Sequence, residues 1–135
     1  MRGSPARYRA ATAGLLAAIF LGSAIPYLTT YRGPVVQFLS NAGHAPLFAL
    51  LALLWLRSLS AGPGGPRYGL ALAVSMLCAV LDEWHQSFVP GRTASLSDLM
   101  VDLAGIGAML AAVRWRTRTR APRRASSLRA RSDIR

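Results

Sequence analysis

The 135-residue chain carries a formal net charge of +11, yet 53% of its residues are hydrophobic and its mean hydropathy is +0.33. The two characters are segregated, with no formal charge in residues 10–31 and nine Arg in residues 114–135, and that pattern reads as an integral membrane protein and excludes a soluble enzyme fold. All 16 basic residues are Arg, which removes lysine chemistry, and the single Cys78 excludes an internal disulfide and a Cys-based zinc cluster.

Four apolar segments follow in chain order. A membrane-spanning helix needs about 20 residues at 1.5 Å each. Residues 10–30 and residues 96–115 meet that length directly. Residues 43–56 meet it if their helix begins near Phe38, or as early as Val35. The third segment has only 14 uncharged residues, 68–81, before Asp82. It becomes long enough if the helix runs on through Asp82-Glu83-Trp84-His85-Gln86 to Phe88. Pro26 inside the first segment is expected to kink that helix or end it early. Arg32-Gly33-Pro34, the Gly/Pro-rich residues 61–66 and Val89-Pro90-Gly91-Arg92 mark the turns. Ser95, Ser97 and Asp98 offer hydroxyl caps and an acidic first turn for the fourth helix. The expectation is therefore an all-α polytopic bundle of four transmembrane helices.

The Arg distribution sets the orientation. Arg2, Arg7 and Arg9 precede the first segment, Arg57 and Arg67 lie between the second and third, and nine Arg lie in residues 114–135, at and beyond the end of the fourth. The positive-inside rule puts those fourteen in the cytoplasm with both termini, and leaves Arg32 and Arg92 outside. Residues 1–9 are then a basic cytoplasmic N-terminus, 10–115 the transmembrane domain, and 116–135 a disordered Arg-rich tail that binds anionic inner-leaflet lipids. Nucleic acid is a disfavoured partner for that tail. A cleaved signal peptide over the first segment is the rival for the N-terminus. Small residues recur every fourth position, as Gly14, Ala18 and Gly22 and as Ala104, Ala108 and Ala112 beside Gly105 and Gly107. These stripes are either close helix contacts or apolar filler.

Four of the five acids bracket one outer loop. Asp98 and Asp102 share a helix face. If the fourth helix enters the membrane near Leu96, Asp102 lies on the order of 9 Å deep. Counting back from Val89 puts Asp82 at a similar depth. A carboxylate near mid-membrane costs roughly 3 kcal/mol, so these acids face inward, pair with Arg92 or share protons. His44, Asp82, Glu83, His85, Gln86, Arg92, Asp98 and Asp102 all fall on the outer side. The plain alternatives are that Glu83 and His85 are wetted helix-end residues, that Trp84 and Phe88 are interfacial anchors, that Arg92 balances loop acids, and that His44 is a hydrogen-bonded histidine. Neither an HExxH pattern nor clustered His appears, so no metal and no cofactor is expected.

The run from Asp82 to Ser95, with its acidic pair, Gln86 and Pro90-Gly91-Arg92, followed by Asp98 and Asp102-Leu103-Ala104-Gly105, resembles the signature of VanZ-like membrane proteins. His44 at the start of the second segment matches that family's histidine. The resemblance covers residues 10–113. Many members have Asn where this chain has Asp102. It implies a bacterial plasma membrane, and a family with members linked to resistance to the glycopeptide teicoplanin.

The resulting expectation is a polar site between helices two, three and four that binds or modifies a lipid-linked or peptidoglycan-related ligand. Arg92 would fork onto a phosphate or carboxylate, with Gln86, Asp98, Asp102 and His85 in support. An intramembrane enzyme would use Asp82 or Glu83 as general acid/base with His44 as partner. A proton- or cation-coupled transporter and a structural assembly factor are the remaining readings. An oligomer is compatible with all of them.

Overall fold

The computed structural model describes residues 4–26, 43–60, 65–92 and 94–132, with side chains described as far as residue 119. Among them are four α-helices and no strand: α1 (Pro5–Ser23), α2 (His44–Leu59), α3 (Tyr68–Gln86) and α4 (Leu96–Ser132). The all-α class expected from the sequence holds.

The boundaries have local causes. α1 opens on Pro5, whose fixed φ and missing N–H suit the first turn. It stops at Ser23 rather than residue 30, because the residue before Pro26 avoids helical backbone. The expected stretch between Val35 and Phe38, like the Gly/Pro-rich residues 61–64, lies outside the described residues. α3 continues through Asp82 and Glu83 and ends at Gln86, two residues short of the expected Phe88. The chain then reverses at Val89-Pro90-Gly91-Arg92. The Arg92 N–H donates to the Val89 carbonyl at 3.1 Å, and Gly91 has φ 78°, the left-handed value that a type II turn demands after proline.

The backbone of α4 is helical past residue 115, to Ser132. Extending an existing helix avoids the cost of nucleation, and Arg and Ala are strong helix formers. The helix accommodates Pro122, which lacks one backbone donor.

Helix α2 is the centre of the bundle. Phe48, Leu51, Ala52 and Leu56 are buried there, and α2 packs on α1, α3 and α4. Helix α4 also packs on α3, but α1 and α4 share no contact among the described residues, and α1 meets α3 sparsely. A buried hydroxyl pair, Thr12 Oγ1 to Ser58 Oγ at 3.1 Å, ties α1 to α2. The small-residue stripes do not make these contacts. Gly14, Ala18 and Gly22 are exposed, as are Ala104, Gly107, Ala108 and Ala112. Gly105 is different: a Cβ there would lie 2.5 Å from the Ala45 carbonyl oxygen. That glycine lets α4 approach the start of α2.

The flanks of the bundle are apolar. Leu21, Leu77, Trp84, Phe88 and Met100 are exposed, whereas Ser75, Asp82, Glu83, Gln86, Asp98 and Asp102 are buried. This inverts the usual partition of a protein in water. Among the described residues, Leu96–Thr119 is the one stretch long and apolar enough by length and composition to cross a membrane; α2 is apolar but shorter.

Candidate functional site

Helix α3 presents its polar residues on two faces. Asp82 and Gln86, one turn apart, face the interior. Gln86 Nε2 donates to Asp82 Oδ2 at 2.7 Å. His44, at the start of α2, places Nδ1 3.9 Å from the same oxygen. Arg92 extends this chain: Nη1 donates to Gln86 Oε1 at 3.1 Å. Its other contacts reach α1, with Nη2 donating to the Gly22 carbonyl at 3.0 Å and Nε to the Ile25 carbonyl at 3.3 Å. A helix C-terminus carries unsatisfied carbonyls and negative dipole charge, which attract a cation. The Pro-Gly turn therefore swings Arg92 back to bind three acceptors at once.

Glu83 holds the other side of the loop. Its Oε2 accepts the Ser95 N–H at 2.9 Å, and the Ser95 carbonyl accepts the Asp98 and Leu99 N–H groups at the start of α4. A carboxylate from one helix thus fastens the residue that precedes the next, in the manner of a capping box made across two helices. The Ser95 hydroxyl, expected as a cap, instead pairs with Ser97 Oγ at 2.5 Å. Ser97 Oγ donates to Asp98 Oδ1 at 3.3 Å. Asp98 sits in the first turn of α4, where the helix dipole favours an acid.

Asp102 is 1% exposed, and neither of its oxygens has a hydrogen-bond partner among the described residues. It lies within electrostatic reach of Glu83, Asp82 and Asp98. Glu83 Oε1 is likewise buried and unpartnered. Burying such acceptors without donors is costly. Among the described residues, no group of three or more His, Cys, Asp or Glu could hold a metal ion.

His85 points the other way. Its ring stacks on Phe20 of α1 with centroids 4.3 Å apart. The sparse packing of α1 on α3 leaves a cavity of about 360 Å³ beside it. Leu16, Ile19 and Phe20 of α1, Phe48 of α2, and Cys78 and Leu81 of α3 give it apolar walls. Asp82, Trp84 and His85 complete the lining.

The sequence-derived residues therefore fall into connected groups. His44, Asp82, Gln86 and Arg92 form one chain, and Glu83, Asp98 and Asp102 adjoin it. His85 turns toward Phe20 of α1 and shares with the others only the cavity that Asp82 also lines. The expected position between helices two, three and four is incomplete, because α1 supplies the acceptors for Arg92 and a cavity wall. Sequence reasoning missed Phe20, the Gly22 and Ile25 carbonyls and the Ser95 amide. The one available signal was Pro26, which ends α1 where its carbonyls can receive Arg92.

Fold and site together define a small helical protein that buries a linked acidic cluster beneath apolar flanks. A family model described as VanZ/LLP1 matches residues 9–117, and the chain belongs to that family. Nothing among curated proteins or solved structures matches the chain.

Proposed function

We infer that this VanZ/LLP1 protein is a multi-pass protein of the bacterial plasma membrane. In this reading four helices cross the membrane with both termini in the cytoplasm. Its polar end, on the outer side, binds or modifies a cell-envelope ligand of lipid-linked or peptidoglycan-related chemistry, and this contributes to glycopeptide resistance. The exposed apolar flanks and the fourteen Arg assigned to one side support the topology. The observation that carries the functional reading is the burial of Asp82, Glu83, Asp98 and Asp102 together at one end of the bundle. Intramembrane acids are expensive and are kept for work.

The test is expression of Asp82→Asn and Glu83→Gln in a teicoplanin-sensitive bacterium, with the amount of inserted protein measured alongside growth at graded teicoplanin. Lost resistance at unchanged insertion is expected. Wild-type resistance in both variants would count against the site. The proximity of His44 to Asp82 favours a second reading, acid/base chemistry on an envelope lipid. Product formation from labelled lipid precursors, rather than saturable binding alone, separates it from the first.

A further inference from the structure

Three observations meet at Asp82. It lines the apolar cavity between α1, α2 and α3, and it also belongs to the acidic cluster. Within electrostatic reach of it, Asp102 Oδ1 and Oδ2 and Glu83 Oε1 are buried acceptors without a donor among the described residues; Asp102 is 1% and Glu83 7% exposed. Arg92, the nearby cation, already donates from Nε, Nη1 and Nη2 to Ile25, Gln86 and Gly22.

On the reading that this polar end is a ligand site, we propose that its occupant is a single-tailed lipid with a primary-amine head. The tail lies in the cavity, and the ammonium sits against Asp82 and the unpartnered acid oxygens. An ammonium carries three donors and no acceptor, which is what three orphaned acceptors lack. A phosphate or carboxylate head would bring more acceptors and like charge to a cluster of acids, at a cost of specificity and affinity. The cavity volume falls within the range of about 300–1,000 Å³ typical of small-molecule sites, and its walls are apolar with a few polar groups at one edge, as such sites are. This assignment moves Arg92 from gripping a ligand phosphate to positioning the loop that closes the site.

Cys78 supplies the assay. It is the chain's only cysteine and it lines the cavity, so an occupant shields it from alkylation. Purified protein in phosphatidylcholine nanodiscs is treated with N-ethylmaleimide in the presence of dodecylamine, dodecanol or dodecyl phosphate, and the adduct is followed by intact mass. Dodecylamine is expected to protect Cys78 at a concentration at least tenfold below the other two. Asp82→Asn and Asp102→Asn are expected to erase that preference while keeping tail-dependent protection. Equal protection by the three heads, stronger protection by dodecyl phosphate, or none would overturn the proposal. The comparison of heads in the unmodified protein stands even if a variant fails to insert. If Asp82→Asn loses resistance in cells while no amine preference appears, this inference fails and the site itself survives. If Asp82→Asn keeps resistance, the site reading fails.

Discussion

Gly105→Ala isolates the contact that sets α4 against α2. The added Cβ would lie 2.5 Å from the Ala45 carbonyl oxygen, about 0.9 Å inside ordinary contact at 3.4 Å. The obstacle is backbone, so no rotamer relieves it. Either α4 moves away from α2 or α2 loses its first turn. Overpacking of this kind costs about 1–3 kcal/mol. Asp102 lies just under one turn from Gly105 on the same helix, so the displacement also disturbs the acid cluster. Gly107→Ala is the control, since a Cβ there meets nothing within 4 Å. Thermal unfolding of detergent-solubilised protein, followed by fluorescence-detected gel filtration, should give a Tm several degrees lower for Gly105→Ala. Gly107→Ala should stay at or above the parent, because alanine is the better helix former. Equal Tm values for the two variants would refute the packing argument.

Other expectations follow from the same geometry. Gly91→Ala forces a side chain into left-handed backbone at φ 78°, costing about 1–2 kcal/mol; a lowered Tm checks it. Arg92→Lys cannot reach three separate acceptors, so backbone hydrogen exchange over residues 87–92 should rise about tenfold, consistent with losing at least one charge-assisted bond of about 1.5–3 kcal/mol. Unchanged exchange would place the arginine's role elsewhere. Thr12→Ala and Ser58→Val, alone and together, should show a coupling of about 0.6 kcal/mol in a double-mutant cycle, the usual size for interhelical bonds in membrane proteins. Strict additivity would mean the hydroxyl pair contributes nothing.

Much of the site was legible because its chemistry is local in the chain. Asp82 and Gln86 are one turn apart, and Pro90-Gly91 announces the turn that returns Arg92. The helical continuation through Asp82 to Gln86 followed from counting residues in the third segment. What stayed hidden depends on how helices rotate against each other. Gly105 and Gly107 look alike in a list of small residues, yet one faces Ala45 and the other faces outward. The partners of Arg92 on α1 are carbonyls, which leave no side-chain signature. The cavity arises where α1 and α3 pack only sparsely, and an apolar pattern encodes the presence of a face rather than the gap beside it.

The central claim is that the acidic end of the bundle faces the outside of the cell. Single cysteines at the exposed positions Ser87 and Arg67, beyond opposite ends of α3, test it directly in a Cys78→Ser background. With a membrane-impermeant maleimide, Ser87→Cys should be labelled in intact cells and Arg67→Cys only after lysis. The reverse pattern, or equal labelling of both in intact cells, would contradict the account.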